Sequence, residues 1–196
     1  MNDYTGTYIV IEGIDGTGKS TLIKGIADAL RQGGVSDLER YEEPTDGPNG
    51  QKIRELLASD DNIMSAEEWL LLFESDRRDN VARVVPALER GAFVLQDRSF
   101  YSTAAYQGAQ GMDVAEILRR NRAFAPEPDM VLVLDLDPKI ALERIQKRKA
   151  MEADAFEREE YLARVRMIYH AMKGRNLAVI DAEQSPEAVL ASALGV

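Results

Sequence analysis

The segment Gly13-Ile14-Asp15-Gly16-Thr17-Gly18-Lys19-Ser20 constrains this chain more than any other. It follows the pattern G-x-x-x-x-G-K-[ST], in which backbone N–H groups and a lysine cradle phosphates. Its flanks suit that chemistry. Tyr8-Ile9-Val10-Ile11 is a short apolar, β-branched strand, and Thr21 to Leu30 has helical periodicity. Strand, glycine loop and helix together make an anion hole. The helix start offers free N–H groups and the positive end of its dipole, Lys19 adds a charge, and the Ser20 hydroxyl can hold Mg²⁺. The competing explanation, a glycine turn before a helix with an incidental lysine, leaves the strand and helix flanks as coincidence. The residues from Gly13 to Thr21 are therefore expected to bind a nucleoside triphosphate.

Composition narrows the setting. The 196 residues suit one domain with a substantial core. No apolar run approaches a membrane span, and no signal peptide precedes the first strand, which leads to the expectation of a cytoplasmic protein with no membrane partner. There is no cysteine, so disulfides, thiolate metal sites and cysteine catalysis are excluded. The net charge of −10 argues against a general nucleic-acid surface, which is normally basic.

Strands are expected at Tyr8–Glu12, Leu38–Glu42, Phe93–Asp97, Met130–Asp135 and Leu177–Asp181. Helices are expected at Lys19–Arg31, Pro48–Ala58, Ala66–Glu89, Ser102–Gln107, Asp113–Ala123, Pro138–Lys149, Phe156–Lys173 and Pro186–Leu194. Apolar strands alternating with helices indicate an α/β fold: a five-stranded parallel sheet covered on both faces, in three α/β/α layers. Ligands in such folds gather at the carboxyl ends of the strands. Glu12, Asp97, Asp135 and Asp181 are thus expected on the functional edge.

A second constellation runs from Asp97 to Gly108, reading Asp-Arg-Ser-Phe-Tyr-Ser-Thr-Ala-Ala-Tyr-Gln-Gly. Asp97 can bind Mg²⁺ through water or accept a hydroxyl proton. Arg98 can clamp a phosphate bidentately. Ser102 with Tyr106, and Thr103 with Gln107, lie four apart and share a helix face. A helix cap followed by a solvated polar helix would read much the same way.

The first loop, extended to Glu12 and Thr21, resembles the E-G-x-D-G-x-G-K-[ST]-T loop of thymidylate kinases. The second segment is similar to their D-R-Y-x-x-S-x-x-A-Y-Q-G element. Further likeness lies in Glu43-Pro44, Gly50 to Arg54, Phe73 with Asp76-Arg77, Ala125-Pro126 before Pro128-Asp129, and Asp154 to Glu157. The resemblance implies a P-loop fold and transfer of the ATP γ-phosphoryl group to dTMP, with Mg²⁺. It implies that Lys19 contacts ATP phosphates, Ser20 helps hold Mg²⁺, and Asp15 lies near the acceptor. It further implies that Arg98 clamps the acceptor phosphate, Phe73 stacks on thymine, and Arg77, Thr103 and Gln107 read the base. Tyr106 would pack below the deoxyribose. By pattern alone, Trp69, Leu70, Leu72 and Phe73 could equally be a core stripe with Arg77 at its solvated end.

The third constellation is Arg144, Lys147, Arg148 and Lys149. Alone it is a charged helix surface; by resemblance it is a lid at about residues 146–155. Some family members carry a catalytic arginine in the phosphate loop. Gly16 stands at that position here, so the resemblance shifts the charge to the lid, with Arg148 the first choice and Arg144 against the adenine. A homodimer is implied as well. Two departures stand out. Glu42 occupies the place of an arginine, to be balanced by Arg40 or Arg54, and Ser99 replaces a tyrosine that could support Arg98. His170, the sole histidine, reads as structural or surface. Another nucleotide kinase remains the near alternative. A P-loop regulatory ATPase is the distant one, without an N-K-x-D motif to support it.

Overall fold

The computed structural model describes residues 4–59, 64–148 and 155–196. Its centre is a five-stranded, wholly parallel sheet in the order β2-β3-β1-β4-β5. The strands are β1 (Thr7–Glu12), β2 (Leu38–Glu42), β3 (Phe93–Asp97), β4 (Met130–Asp135) and β5 (Leu177–Asp181). Eight helices occur among the described residues: α1 (Lys19–Gln32), α2 (Pro48–Leu57), α3 (Ala66–Glu89), α4 (Phe100–Ala109), α5 (Val114–Arg122), α6 (Pro138–Arg148), α7 (Ala155–Ala171) and α8 (Pro186–Leu194).

Alternation along β1 separates two packing layers. Tyr8 and Val10 pack with Val94 and with Val84, Ala87 and Leu88 at the end of α3. Ile9, Ile11 and Leu95 point the other way and join the larger cluster that holds Leu22 and Ile26 of α1. β1 and β4 are buried through most of their length, as strands covered on both faces must be, whereas the edge strand β2 is half-exposed and correspondingly polar.

Local chemistry sets the helix starts. Ser65 caps α3 in a reciprocal capping box with Glu68, and Ser185 caps α8 ahead of Pro186. α4 starts at Phe100, two residues before the expected Ser102, because Ser99 is its N-cap and accepts from the Tyr101 N–H. α1 is different. Its N-cap is Gly18, at φ 95°, with no side-chain hydrogen bond, so the first N–H groups face outward without a cap.

The strand order reverses around β1. The chain goes from β1 to the edge strand β2, returns to β3, then crosses to β4 on the far side. A crevice forms at the carboxyl ends where such a reversal occurs. The register pairs Ile11 with Asp97, so the phosphate loop after β1 and the Asp97-Arg98 corner after β3 emerge side by side. No helix among the described residues is long and apolar enough to cross a membrane.

Candidate active site

The crevice holds a cavity of about 450 Å³ lined on one side by Asp15, Arg98, Ser102 and Tyr106, and on the other by Phe73, Arg77, Thr103 and Gln107. Residues from the phosphate loop, α3 and α4 thus meet in a space of mononucleotide size. A second, more open depression of about 460 Å³ lies between α6 and α7 at Asp137, Arg166 and His170. It contains no phosphate-loop residue, so the chemistry belongs to the first.

The phosphate loop is closed upon itself. Lys19 is buried, and its Nζ donates to the carbonyls of Gly13 and Ile14, each at 3.2 Å. The Thr17 hydroxyl donates to the Ile14 carbonyl at 2.9 Å. Burial, reinforced by the Arg98 guanidinium, pushes the Lys19 ammonium down to about 8, against the opposing pull of Asp15 and Asp97. Gly16 sits at φ 88°, and a Cβ there would come within 2.5 Å of the Ala141 carbonyl oxygen. A side chain at position 16 would be strained at that φ and would require the Ala141 backbone to shift. Thr21 is exposed in the first turn of α1.

Ser20 Oγ lies 3.5 Å from Asp97 Oδ2, bringing together the two groups expected at a Mg²⁺ site. Asp97 Oδ1 is buried and has no hydrogen-bond partner. An orphaned carboxylate oxygen beside a hydroxyl, at the mouth of a phosphate loop, suits a hard cation. Among the described residues no group of three His, Cys, Asp or Glu could hold a metal by itself.

Arg98 occupies the left-handed region, at φ 65°. Its Nη2 donates to Asp15 Oδ1 at 2.7 Å and its Nη1 to Ser102 Oγ at 2.9 Å. The guanidinium carbon lies 5.2 Å from the centre of the Tyr106 ring. The Ser99 side chain turns to Glu12 and Tyr101 rather than to the Arg98 guanidinium. Support of the guanidinium falls to Ser102 and Tyr106, one and two turns along α4. Arg98 and Lys19 hold the Asp15 carboxyl below its ordinary range against the effect of burial, Arg98 being the larger influence.

Arg77 is buried, which corrects the picture of a solvated stripe end. Its Nε and Nη2 donate to Glu43 Oε2 at 2.9 and 2.7 Å, Nη2 also to Thr103 Oγ1 at 2.9 Å, and Nη1 to Asn121 Oδ1 at 2.5 Å. Four of its N–H groups are thereby engaged. A guanidinium has about five, which leaves one on Nη1 at the cavity wall. Gln107 Oε1 is buried without a partner. Phe73 is half-buried and stacks on Trp69 at 5.7 Å between ring centres, so the aromatic pair is both core and cavity wall.

Of the four acidic strand ends, Asp97 keeps a free oxygen, while the others are engaged. Glu12 is consumed by Ser99, Ser102 and Tyr169. Asp135 pairs with Arg166 at 2.6 Å and with His170 at 2.9 Å. Asp181 accepts from the Glu183 N–H and the Gln184 amide in its own turn. Arg144 donates to the Ala182 carbonyl at 3.1 Å. Arg54 does not face Glu42; it donates to the carbonyls of Pro44 and Thr45 and pairs with Asp46. Glu42 is exposed and does not line the cavity. The Arg148 side chain, with the rest of the expected lid at 149–154 and Glu157, lies outside the described residues.

Sequence reasoning passed over Tyr161. This residue of α7 lines the cavity, donates to the Tyr106 carbonyl at 3.0 Å and meets the Tyr106 ring edge-on at 6.2 Å. Tyr161, Val165 and Tyr169 recur every four residues, a signal of one face turned inward.

The comparisons agree with this geometry. A family model described as thymidylate kinase matches residues 11–193. A thymidylate kinase of Desulfotalea psychrophila is 44% identical over 186 residues, covering 94% of this chain and 91% of the relative. One from Xylella fastidiosa is 42% identical over 192 residues, covering 97% and 86%. The crystal structure of thymidylate kinase from Ehrlichia chaffeensis superposes with a TM-score of 0.76 at 25% identity, covering 97% of each chain. The matched span takes in the phosphate loop, the Asp97-Arg98 corner and the aromatic wall of the cavity together, and the chain belongs to the thymidylate kinase family.

Proposed function

We propose that this protein transfers the γ-phosphoryl group of ATP to dTMP, giving dTDP and ADP, in the supply of dTTP. The observation that carries the reading is the placement of Arg98. Its guanidinium stands 2.7 Å from Asp15 of the phosphate loop, at the mouth of the cavity floored by Phe73, Arg77 and Gln107. One charged group therefore faces both the donor loop and an acceptor-sized space. Phosphoryl transfer asks for two substrates in line and positive charge around the moving group, and little else from the protein.

In this reading the loop from Gly13 to Thr21, with Lys19, holds the ATP phosphates, and Arg144 borders the adenine. Arg98 clamps the dTMP phosphate by exchanging Asp15 for it. Phe73 stacks on thymine; the spare Arg77 N–H and the buried Gln107 amide meet its polar edge; Thr103 fixes Arg77 rather than the base. Tyr106 lies under the sugar, and Ser102 steadies Arg98. Ser20 and Asp97 would hold Mg²⁺, which would supply positive charge to offset that of the phosphates. Gly16 brings no charged side chain to the loop, and the missing cationic contribution falls to Arg148. The chain acts as a single domain. The reading carries with it the cytoplasmic setting where ATP is available. It also includes a homodimer, to which the half-exposed Leu71 of α3 lends an apolar contact; sedimentation equilibrium showing only monomer at micromolar concentration would remove that part.

The decisive measurement is ADP release with ATP, Mg²⁺ and each of dTMP, dUMP, UMP, CMP, AMP and GMP. dTMP is expected to give the highest kcat/KM, exceeding CMP by about 10³-fold, because a site built for one hydrogen-bond pattern leaves buried groups unpaired with another. Preference for a different base would overturn the assignment.

A further inference from the structure

Glu12 ends β1 fully buried, directly behind the Asp97-Arg98 corner. A buried carboxylate is costly unless hydrogen bonds surround it. Here five groups donate to it. The Ser99 N–H and hydroxyl each lie 2.8 Å from Oε1, and the Ser102 N–H lies 3.2 Å from it. The Ser102 hydroxyl donates to Oε2, and the Tyr169 hydroxyl reaches Oε2 at 2.9 Å from α7. Nothing in the transfer reaction proposed above uses this carboxylate.

The polarity of the network points towards Arg98. A serine hydroxyl has one hydrogen and two lone pairs. With that hydrogen committed to Glu12, Ser102 Oγ can only accept, and it accepts from Arg98 Nη1 at 2.9 Å. The backbone is held in the same manner. The left-handed φ of 65° at Arg98 is uncommon for a residue bearing a Cβ. It is pinned on both sides: the Arg98 N–H donates to the Ile11 carbonyl at 3.0 Å, its carbonyl accepts from Gln96 Nε2 at 2.8 Å, and the next N–H, that of Ser99, ends on Glu12.

We propose that Glu12, held in turn by Tyr169, is a positioning residue for Arg98, fixing the left-handed corner and keeping Ser102 as an acceptor beneath the guanidinium. The arginine then meets the acceptor phosphate already oriented, and the cost of orienting it is met in folding rather than in each turnover. This deepens the reading of Arg98 as the phosphate clamp and rests on it. A carboxylate that merely stabilised the core would affect both substrates alike, or neither.

The test is a double-mutant cycle, run with whichever monophosphate ranks first in the acceptor panel, so that a wrong base assignment leaves it intact. Glu12→Gln keeps the shape and removes the charge. Tyr169→Phe removes one hydroxyl and serves if Glu12→Gln does not fold. Each is expected to lower kcat/KM for the acceptor about tenfold while moving the KM for ATP less than about twofold. In an Arg98→Ala background the same substitutions are expected to cost nothing further. A loss that persists undiminished without Arg98, an equal shift in the KM for ATP, or no loss in either single variant would overturn the proposal.

Discussion

Lys19→Met is expected to lower kcat about 10³-fold, the scale on which removal of one preorganised charge-stabilising donor acts in a dry site. Methionine keeps the length and apolar stem of the lysine, so the packing under the loop survives. The charge does not. Its absence removes the one cation that the phosphate loop itself directs at the migrating phosphoryl group. The pH behaviour gives an independent readout. Lys19 lies at about 8 in the folded protein, against 10.5 for an ordinary lysine. Between those values the unfolded chain holds a proton that the folded chain has released, so stability rises with pH across that window. The rise is expected in the wild type and not in Lys19→Met, by chemical denaturation at pH 8 and pH 10. ATP phosphates favour the ammonium form, so binding at pH 8 draws in up to about half a proton, measurable by calorimetry in buffers of different ionisation enthalpy. Wild-type kcat in the variant, or identical pH profiles of stability, would remove Lys19 from the donor site.

Arg98→Ala is expected to lower kcat/KM for dTMP by about 10²- to 10³-fold, with the KM for ATP little changed. The asymmetry follows from position. Arg98 faces the cavity and Asp15, whereas the carbonyls of the phosphate loop are engaged by Lys19. Arg98→Lys is expected to recover little of the loss. An ammonium reaches neither Ser102 and Asp15 at once nor two phosphate oxygens in a plane. Steady-state kinetics varying each substrate in turn would decide the matter. Full activity in Arg98→Ala would sink the phosphate clamp and, with it, the positioning role of Glu12.

Much of the fold is legible in the chain itself. The apolar runs at Phe93–Asp97 and Met130–Asp135 become strands with the expected limits, because buried parallel strands leave a continuous hydrophobic record; Leu177–Asp181 does so as an edge strand with only Ile180 buried. Leu38–Glu42 forms the expected strand in spite of its charges, since an edge strand needs only one partner, here β3, and can stay half-exposed. The start of α4 lies before the expected residue because the deciding feature is the Ser99 cap, whose hydroxyl also reaches Glu12, 87 residues away. The acidic strand ends divide for the same reason. Strand periodicity brings Glu12, Asp97, Asp135 and Asp181 to one edge, but the partners each one meets, from α4 and α7 for Glu12, from α7 for Asp135 and from its own turn for Asp181, determine which carboxylate keeps a free oxygen.

The phosphate loop, the α/β alternation and the family can be read along the chain, because they rest on local chemistry: apolar runs, glycines at positive φ, a helix start, a lysine within reach of its own loop. What each polar side chain is occupied with emerges only from the packing of distant segments. Arg77 is buried on Glu43, Ser102 is an acceptor for Arg98, and Glu12 is consumed behind the corner. Arg98 and Ser102 are four residues apart, but the Arg77–Glu43 pair spans 34 residues and the Glu12 contacts span 87 to 157, the latter brought together by a strand register that sets Ile11 beside Asp97. A hydrogen bond is read from both of its ends, and a sequence displays one end at a time.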